Sequence, residues 1–120
     1  MKTILLVDDE NIHHILAKRI VRDSYELISA YSGEEALKKL GEGGIDLVLM
    51  DILMPETDGF ETFRRIREED IAPGVPVIFL TAKEEEDMKA RCLEAGATAY
   101  VTKPFSPNAL LGTIREVLDT

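Results

Sequence analysis

The chain has 120 residues, 45% hydrophobic and 31% charged, so its length and composition allow one globular domain and exclude a disordered or fibrous chain. Its net charge of −9, from 14 basic and 23 acidic residues, argues against direct binding of nucleic acid, which needs basic surface to displace counterions. Metal ions and basic surfaces are the partners that this charge favours.

Short apolar runs predict the strands. The first, over 4–7, is too short for a signal sequence or a membrane span and stops at two acids, so we expect a cytoplasmic protein without membrane contact. Three further runs, over 45–50, 75–80 and 99–101, also lack alternation, which is typical of strands buried on both faces of a parallel sheet. A run over 25–30 mixes apolar and polar residues and is predicted to form an edge strand.

Segments with helical periodicity separate these runs. The first predicted helix has an apolar stripe of Ile12, Ile15, Leu16 and Ile20. Four more stripes follow, at Ala36, Leu37 and Leu40; at Phe60, Phe63 and Ile66; at Met88, Cys92, Leu93 and Ala95; and at Leu110, Leu111, Ile114, Val117 and Leu118. Cys92 is the only cysteine, which excludes an internal disulfide, and it is predicted to be buried.

Residues with known preferences for helix ends mark several boundaries. Ser32 and Glu35 form a capping box, and Ser106 followed by proline predicts the start of the last helix. Gly41 and Gly96 are predicted to take the left-handed conformation that ends helices.

The alternation of strand and helix, repeated five times, predicts the fold class. It is α/β: a doubly wound, flavodoxin-like parallel sheet of five strands in the order 2-1-3-4-5, flanked by five helices, with residues 1–120 as one domain. In this order a ligand crevice lies at the carboxyl ends of strands 1 and 3.

Polar residues collect where the predicted strands end. Five of them follow or end the first, third, fourth and fifth strands: Asp8, Asp9, Asp51, Thr81 and Lys103. Each alone has a structural explanation, as a helix cap or a solvated residue, but together they face one crevice. Three carboxylates there repel each other unless a hard cation and Lys103 neutralise them. Mg²⁺ suits one or two carboxylates plus a phosphate oxygen.

The remaining polar features are predicted to be structural. His13 and His14 are adjacent and point about 100° apart on a helix, so they cannot both reach one metal ion and are predicted to be surface residues. Zinc, which prefers His or Cys ligands, is therefore not expected at the crevice. The acidic run over 84–87 is predicted to open the fourth helix, where it complements the helix dipole.

Five segments together resemble a known family. They are Val7-Asp8-Asp9-Glu10, the Leu-Met-Asp-Ile-Leu-Met-Pro run over 49–55, Asp58-Gly59, Leu80-Thr81-Ala82, and the Gly-Ala-Thr-Ala-Tyr-Val-Thr-Lys-Pro-Phe run over 96–105. Their order and spacing resemble the receiver domains of two-component response regulators, chemotaxis receivers among them. The resemblance covers essentially the whole chain.

The resemblance implies that Asp51 is a nucleophile that takes the phosphoryl group of a phosphohistidine from a sensor histidine kinase or phosphotransfer protein. It implies Mg²⁺ held by Asp9, Asp51 and the backbone carbonyl of Leu53, with Asp8 acting directly or through water. Such a protein is a signalling phosphoacceptor rather than an enzyme. It catalyses only its own phosphorylation and dephosphorylation, and it signals to a downstream effector protein or output domain.

The resemblance also implies how the phosphoryl group is held and sensed. Lys103 pairs with its oxygens, while the Thr81 hydroxyl and the Ala82 N–H donate hydrogen bonds to it. The inward movement of Thr81 vacates space for Tyr100, the switch aromatic. The Lys103–Pro104 peptide bond is expected to be cis.

Two positions depart from the family pattern. Thr57 stands where many members carry methionine, which leaves the chemistry undisturbed. Leu53 is apolar and cannot orient an attacking water, so slow hydrolysis of the acyl phosphate is expected, although Lys83 also overlooks the site.

The sequence leaves the molecular context open. A single-domain regulator is favoured because no linker follows the fifth predicted helix; the alternative is a receiver cut from a longer transcription factor, enzyme or hybrid kinase. Residues 97–100 lack the acidic pair often found in dimerising winged-helix regulators, which weighs against that branch.

Two other classes of protein fit the sequence poorly. A haloacid-dehalogenase-type phosphatase needs an aspartate at Leu53, and a flavin carrier needs a hydroxyl-rich loop in place of Asp8 and Asp9.

Overall fold

The structure is a computed structural model that describes residues 1–54, 58–82 and 86–119. Strands and helices alternate along the chain, as the sequence predicts. The strands are β1 (Thr3–Val7), β2 (Glu26–Ala30), β3 (Leu47–Asp51), β4 (Val77–Ala82) and β5 (Ala99–Lys103). The helices are α1 (Asn11–Val21), α2 (Gly33–Gly41), α3 (Gly59–Glu68), α4 (Glu86–Glu94) and α5 (Pro107–Leu118). No helix in these described ranges is long and apolar enough to cross a membrane.

The five strands form one parallel sheet in the order β2-β1-β3-β4-β5, which confirms the predicted fold. The register aligns the carboxyl ends of the central strands, because Val7 pairs with Met50 and Asp51 pairs with Leu80. At the other edge, Ala82 pairs with Lys103. Residues that end these strands therefore share one side of the molecule.

Apolar residues on the two faces of the sheet form two cores. Alternate strand residues, such as Leu5, Val48 and Phe79, pack with residues of α2, α3 and α4, including the predicted buried Cys92. Their neighbours, such as Leu6, Leu49 and Ile78, pack with residues of α1 and α5. Burial of each such side chain contributes about 1.5–3 kcal/mol, so a sheet covered on both faces is strongly favoured.

Helix α1 presents a different face to the sheet from the one that its apolar stripe predicts. His14, Ala17 and Val21 are buried, whereas Ile12 and Ile15 are 62% and 46% exposed. The small Ala17 side chain allows the helix to approach the sheet, and both ring nitrogens of His14 have polar partners there, which offsets the cost of burying the imidazole. The predicted stripe is therefore wrong for this helix.

The helix ends follow the predicted signals with one exception. The Ser32 hydroxyl accepts a hydrogen bond from the Glu35 N–H at 3.1 Å, and Ser106 caps α5 ahead of its first residue, Pro107. Gly96 has the predicted positive φ, at 95°. Gly41 instead remains inside α2, because the helix continues to a cap at Glu42 and the chain reverses at Gly43 and Gly44, where φ is 85°.

Candidate functional site

A cavity of about 410 Å³ opens at the carboxyl edge of the sheet. It is lined by residues that follow or end β1, β3, β4 and β5: Glu10, His13, Asp51, Ile52, Leu53, Leu80, Thr81, Lys103 and Pro104. Parallel strands bring these separate chain segments to one place, since all their carboxyl ends lie on the same side. The crevice lies where the sequence predicts it.

Three carboxylates meet beside this cavity. One oxygen from each of Asp8, Asp9 and Asp51 lies within 4.8 Å of the others. Asp8 is fully buried and Asp51 nearly so, while Asp9 is exposed. Oxygen-only donors with one solvent-facing side fit a hard cation that retains several waters, so this donor set fits Mg²⁺.

Lys103 ends the edge strand β5 and contacts two of the carboxylates. Its Nζ donates to Asp8 Oδ2 at 2.6 Å and lies 3.1 Å from Asp51 Oδ1. The Lys103–Pro104 peptide bond is cis, which confirms that prediction. Among the described residues, Lys103 supplies the one ammonium beside these three acids, which leaves the cluster short of positive charge.

Burial changes the protonation of Asp51. Burial raises the pKa of the Asp51 carboxyl from 3.8 to about 6; Lys103 counteracts the rise, while Asp8 and Asp9 add to it. In the metal-free protein Asp51 is therefore a costly anion, and a bound cation favours its ionised form.

The prediction that both histidines are surface residues is wrong. His13 lies at the cavity, with Nδ1 2.7 Å from Asp8 Oδ2 and 3.1 Å from Lys103 Nζ. His14 is buried beneath the site, with Nε2 2.8 Å from the Asp8 backbone oxygen and Nδ1 2.7 Å from the Ser29 hydroxyl. The two rings diverge around the helix, as predicted, but they contact the side chain and the backbone of the same aspartate.

A histidine therefore does lie beside the carboxylate cluster, contrary to expectation. The first turn of a helix that follows a strand lies above the carboxyl edge of that strand, and His13 is five residues after Asp8 on that turn. The sequence signal was available in this spacing. It was hidden because the apolar residues on either side of the histidines predicted a different helix phase.

The other predicted site residues have varied surroundings. Thr81 is buried and lines the cavity, and Leu53 lines it while 57% exposed. Ala82 ends β4 beside Lys103. Tyr100 is partly buried against the core on the α4 side, with Lys89 Nζ 5.9 Å from its ring centroid. Thr57, Lys83 and the first two acids of the 84–87 run lie outside the described residues.

Gly59 belongs to the Asp58-Gly59 segment of the sequence motif, and the structure shows why glycine is needed at this position. A Cβ at this position would lie 2.3 Å from the Asp51 backbone oxygen, and the Gly59 N–H donates to the Ile52 carbonyl at 2.7 Å. Asp58 caps α3 by accepting from the Glu61 N–H at 2.8 Å. Only glycine allows α3 to begin this close to the end of β3, so Gly59 supports the position of Asp51.

Comparison with known proteins identifies the family. The sequence model of the response regulator receiver domain matches residues 4–115. The chain belongs to this family.

Relatives of this receiver include two transcriptional regulators. The phosphate regulon transcriptional regulatory protein PhoB of Pseudomonas aeruginosa is 41% identical over 118 residues, which are 98% of this chain and 52% of PhoB. The alkaline phosphatase synthesis transcriptional regulatory protein PhoP of Bacillus subtilis is 41% identical over 118 residues, covering 98% of this chain and 48% of PhoP. The chain spans about half the length of these curated relatives.

Solved receiver structures have the same fold. The chemotaxis protein CheY4 of Vibrio cholerae has a TM-score of 0.86 at 32% identity and covers 98% of this chain and 99% of its own. The receiver domain of the sensor histidine kinase PA1611 of Pseudomonas aeruginosa has a TM-score of 0.88 at 28% identity, with 99% and 98% coverage, and contains a magnesium ion coordinated in its active site cleft.

The family match confirms the predicted family, and the solved structures confirm the predicted fold. Receiver domains of response regulators are signalling phosphoacceptors that interact with histidine kinases and output domains. They bind Mg²⁺ at a cluster of aspartates, and the grouping of Asp8, Asp9 and Asp51 matches such a cluster.

Proposed function

We propose that this receiver accepts a phosphoryl group on Asp51 from a sensor histidine kinase or phosphotransfer protein. The observation that carries the proposal is the position of the Asp51 carboxylate, which lines the cavity 3.1 Å from Lys103 and within 4.8 Å of two further acids. A carboxylate oxygen attacks phosphorus, the phosphorus–nitrogen bond of the phosphohistidine breaks, and its electron pair returns to the leaving imidazole. The product on this chain is an acyl phosphate.

Mg²⁺ is the cofactor that the donor set supports. Asp9, Asp51 and the backbone carbonyl of Leu53 would hold it, with Asp8 acting directly or through water. When bound, the ion supplies positive charge that offsets the clustered carboxylates and the oxygens of the transferred group. The magnesium ion in the cleft of the PA1611 receiver supports this assignment.

Residues at the ends of β4 and β5 complete the phosphoryl site. We assign Lys103 to a phosphoryl oxygen, because its ammonium already contacts Asp51. The Thr81 hydroxyl and the Ala82 N–H donate to the other oxygens, and Tyr100 on the neighbouring strand turns inward when Thr81 moves. Charge neutralisation at the equatorial oxygens is the main demand of phosphoryl transfer, and these groups meet it.

An exposed surface beside the cavity supports docking of the phosphodonor. Ile12, Ile15 and Leu16 on α1, here called the α1 apolar surface, are all exposed and adjoin the cavity residues Glu10 and His13. An apolar patch at the entrance of a reaction site is a typical protein-interaction surface. Ile15→Asn should therefore slow transfer from a phosphorylated sensor kinase while leaving phosphorylation by acetyl phosphate unchanged.

The chain acts in one of two contexts. As a single-domain regulator, residues 1–120 form the receiver and its state is passed to a separate effector protein. As a module of a longer regulator, the receiver controls an output domain, and the length of the relatives PhoB and PhoP favours this context. The chemistry at Asp51 is the same in both.

Intact-mass measurement tests the phosphoacceptor assignment. Incubation with acetyl phosphate and Mg²⁺ should add one phosphoryl group that is stable in acid and labile in base. Asp51→Asn should abolish the addition, whereas Asp23→Asn, a control at an exposed aspartate, should leave it unchanged. An Asp51→Asn protein phosphorylated to the parental extent would overturn the assignment.

A further inference from the structure

His13 contacts Asp8 in the acidic cluster but has no role in the function proposed above. We propose that His13 is a positioning residue that keeps the buried Asp8 hydrogen-bonded while Lys103 leaves it for the phosphoryl group. This inference rests on the proposed function, because it concerns the transfer of Lys103 between two acceptors within that site.

The Asp8 carboxylate has three donors around it. Oδ1 accepts from the Glu10 N–H at 2.9 Å, while Oδ2 is contacted by Lys103 Nζ at 2.6 Å and by His13 Nδ1 at 2.7 Å. We assign a proton to His13 Nδ1, because a carboxylate can only accept and the contact with Asp8 is shorter than the one with Lys103. Lys103 and His13 thus serve the same oxygen, which places their nitrogens 3.1 Å apart.

The imidazole is held in place without help from Lys103. His13 lies in the first turn of α1, and its side chain is only 24% exposed. The ring of the buried Phe105 packs against it edge to face, with the centroids 6.0 Å apart. His13 therefore keeps its position when Lys103 moves.

Movement of Lys103 is the step that His13 assists. Lys103 is shared between Asp8 and Asp51, and the added oxygens of a phosphoryl group on Asp51 attract the ammonium further. Asp8 is fully buried, and a buried carboxylate that loses its partner is strongly destabilised. With His13 in place Asp8 retains a side-chain donor, whereas without it Asp8 competes with the phosphoryl group for Lys103.

Three substitutions at position 13 separate this role from simple packing. His13→Leu removes the donor, His13→Asn keeps an N–H the same number of bonds from the backbone as Nδ1, and His13→Gln places its N–H one carbon further out. In saturating Mg²⁺, His13→Leu and His13→Gln should slow phosphorylation by acetyl phosphate about tenfold, the effect of one charge-assisted hydrogen bond. His13→Asn should restore the parental rate. Lys18→Gln, on the exposed side of α1, is the control.

A double substitution tests whether His13 acts through Lys103. In a Lys103→Met background the further change His13→Leu should not change the phosphorylation rate, because the ammonium for which Asp8 competes is gone.

The inference is overturned if His13→Leu is phosphorylated at the parental rate, if His13→Asn is as slow as His13→Leu, or if His13→Leu still slows phosphorylation without Lys103. Should His13→Leu fail to fold, the Asn and Gln variants carry the same test, and equal rates for them overturn it. A parent protein that gains no phosphoryl group contradicts the proposed function itself.

Discussion

Charged residues form two contrasting clusters in this molecule. On α3, Arg64 pairs with Glu61 and with Glu68, at 2.5 Å for the latter, and Arg65 pairs with Glu34 at 2.5 Å and Glu69 at 2.9 Å. Four acids and two arginines meet there, but these acids are exposed and water screens them. At the carboxyl edge of the sheet, Asp8 and Asp51 are buried and share one ammonium.

Burial, rather than the number of ion pairs, distinguishes the two charge clusters. Exposed pairs contribute about 0–1 kcal/mol each, because water already solvates both partners. Buried carboxylates lack that solvation, so their ionised forms depend on nearby cations. The pKa of Asp51 is raised because the effect of burial exceeds the opposing effect of Lys103. A bound metal ion and an incoming phosphoryl group can therefore redistribute the protein's own contacts at this edge.

The largest expected effect comes from removing the Lys103 ammonium. Lys103→Met should destabilise the metal-free protein by about 3 kcal/mol, because it leaves two buried carboxylates without their shared cation. Chemical denaturation in chelator measures this change. Arg65→Met on α3 is the matched control and should cost much less, because its acidic partners are solvated. Equal losses for the two variants would contradict the distinction between the clusters.

The next effect is the pH dependence of stability. The folded pKa of Asp51, about 6, is above its ordinary value of 3.8, so the native state binds more protons between these values and its stability falls as pH rises from about 4 to 6. The cost is about 3 kcal/mol above pH 6, at 1.36 kcal/mol per pKa unit. Asp51→Asn should abolish this fall in metal-free buffer. Parallel stability curves for parent and variant across that range would show that Asp51 is not the group responsible.

Mg²⁺ should have a smaller effect that is specific to the acidic site. At tenfold excess over its dissociation constant, the ion should stabilise the parent by about 1.4 kcal/mol and raise its melting temperature. Asp9→Ala and Asp51→Asn should reduce this shift while leaving the metal-free protein at least as stable as the parent, since each removes a like charge. Glu61→Gln on α3 should melt with the parental shift. Destabilisation of the metal-free protein by both aspartate substitutions would make these acids structural.

The smallest effect is expected on the α3 surface. Arg64→Gln should leave the free energy of unfolding close to the parental value at physiological salt, because water already solvates both partners. Raising the salt concentration should reduce even that difference, whereas the Lys103→Met difference should persist because its partners are buried. Thermal melts at two ionic strengths compare both variants directly.

Sequence patterns predicted the sheet well because buried parallel strands are apolar on both faces. They placed Asp51 and Lys103 at strand ends, where the structure has them. The apolar run that predicts the fifth strand stops at residue 101, but β5 continues through Thr102 and Lys103. These residues pair with Thr81 and Ala82, and backbone hydrogen bonding does not depend on side-chain polarity.

The phase of α1 could not be read from hydrophobicity alone. The helix carries apolar residues on both sides, and its buried face includes His14, which a hydrophobic pattern counts as polar. The polar partners that make this burial favourable, the Asp8 carbonyl and the Ser29 hydroxyl, belong to other elements. The position of His13 at Asp8 follows from the same phase, so both histidines were assigned incorrectly for one physical reason.

Localisation of the phosphoryl group tests directly whether the buried acidic cluster, rather than the exposed acids, is phosphorylated. Reduction of the phosphorylated protein with borohydride converts an acyl-phosphate aspartate to homoserine, which peptide mass spectrometry can place in the sequence. We expect homoserine at position 51 and none at the acids of α3. Homoserine elsewhere, with Asp51 unmodified, would contradict it.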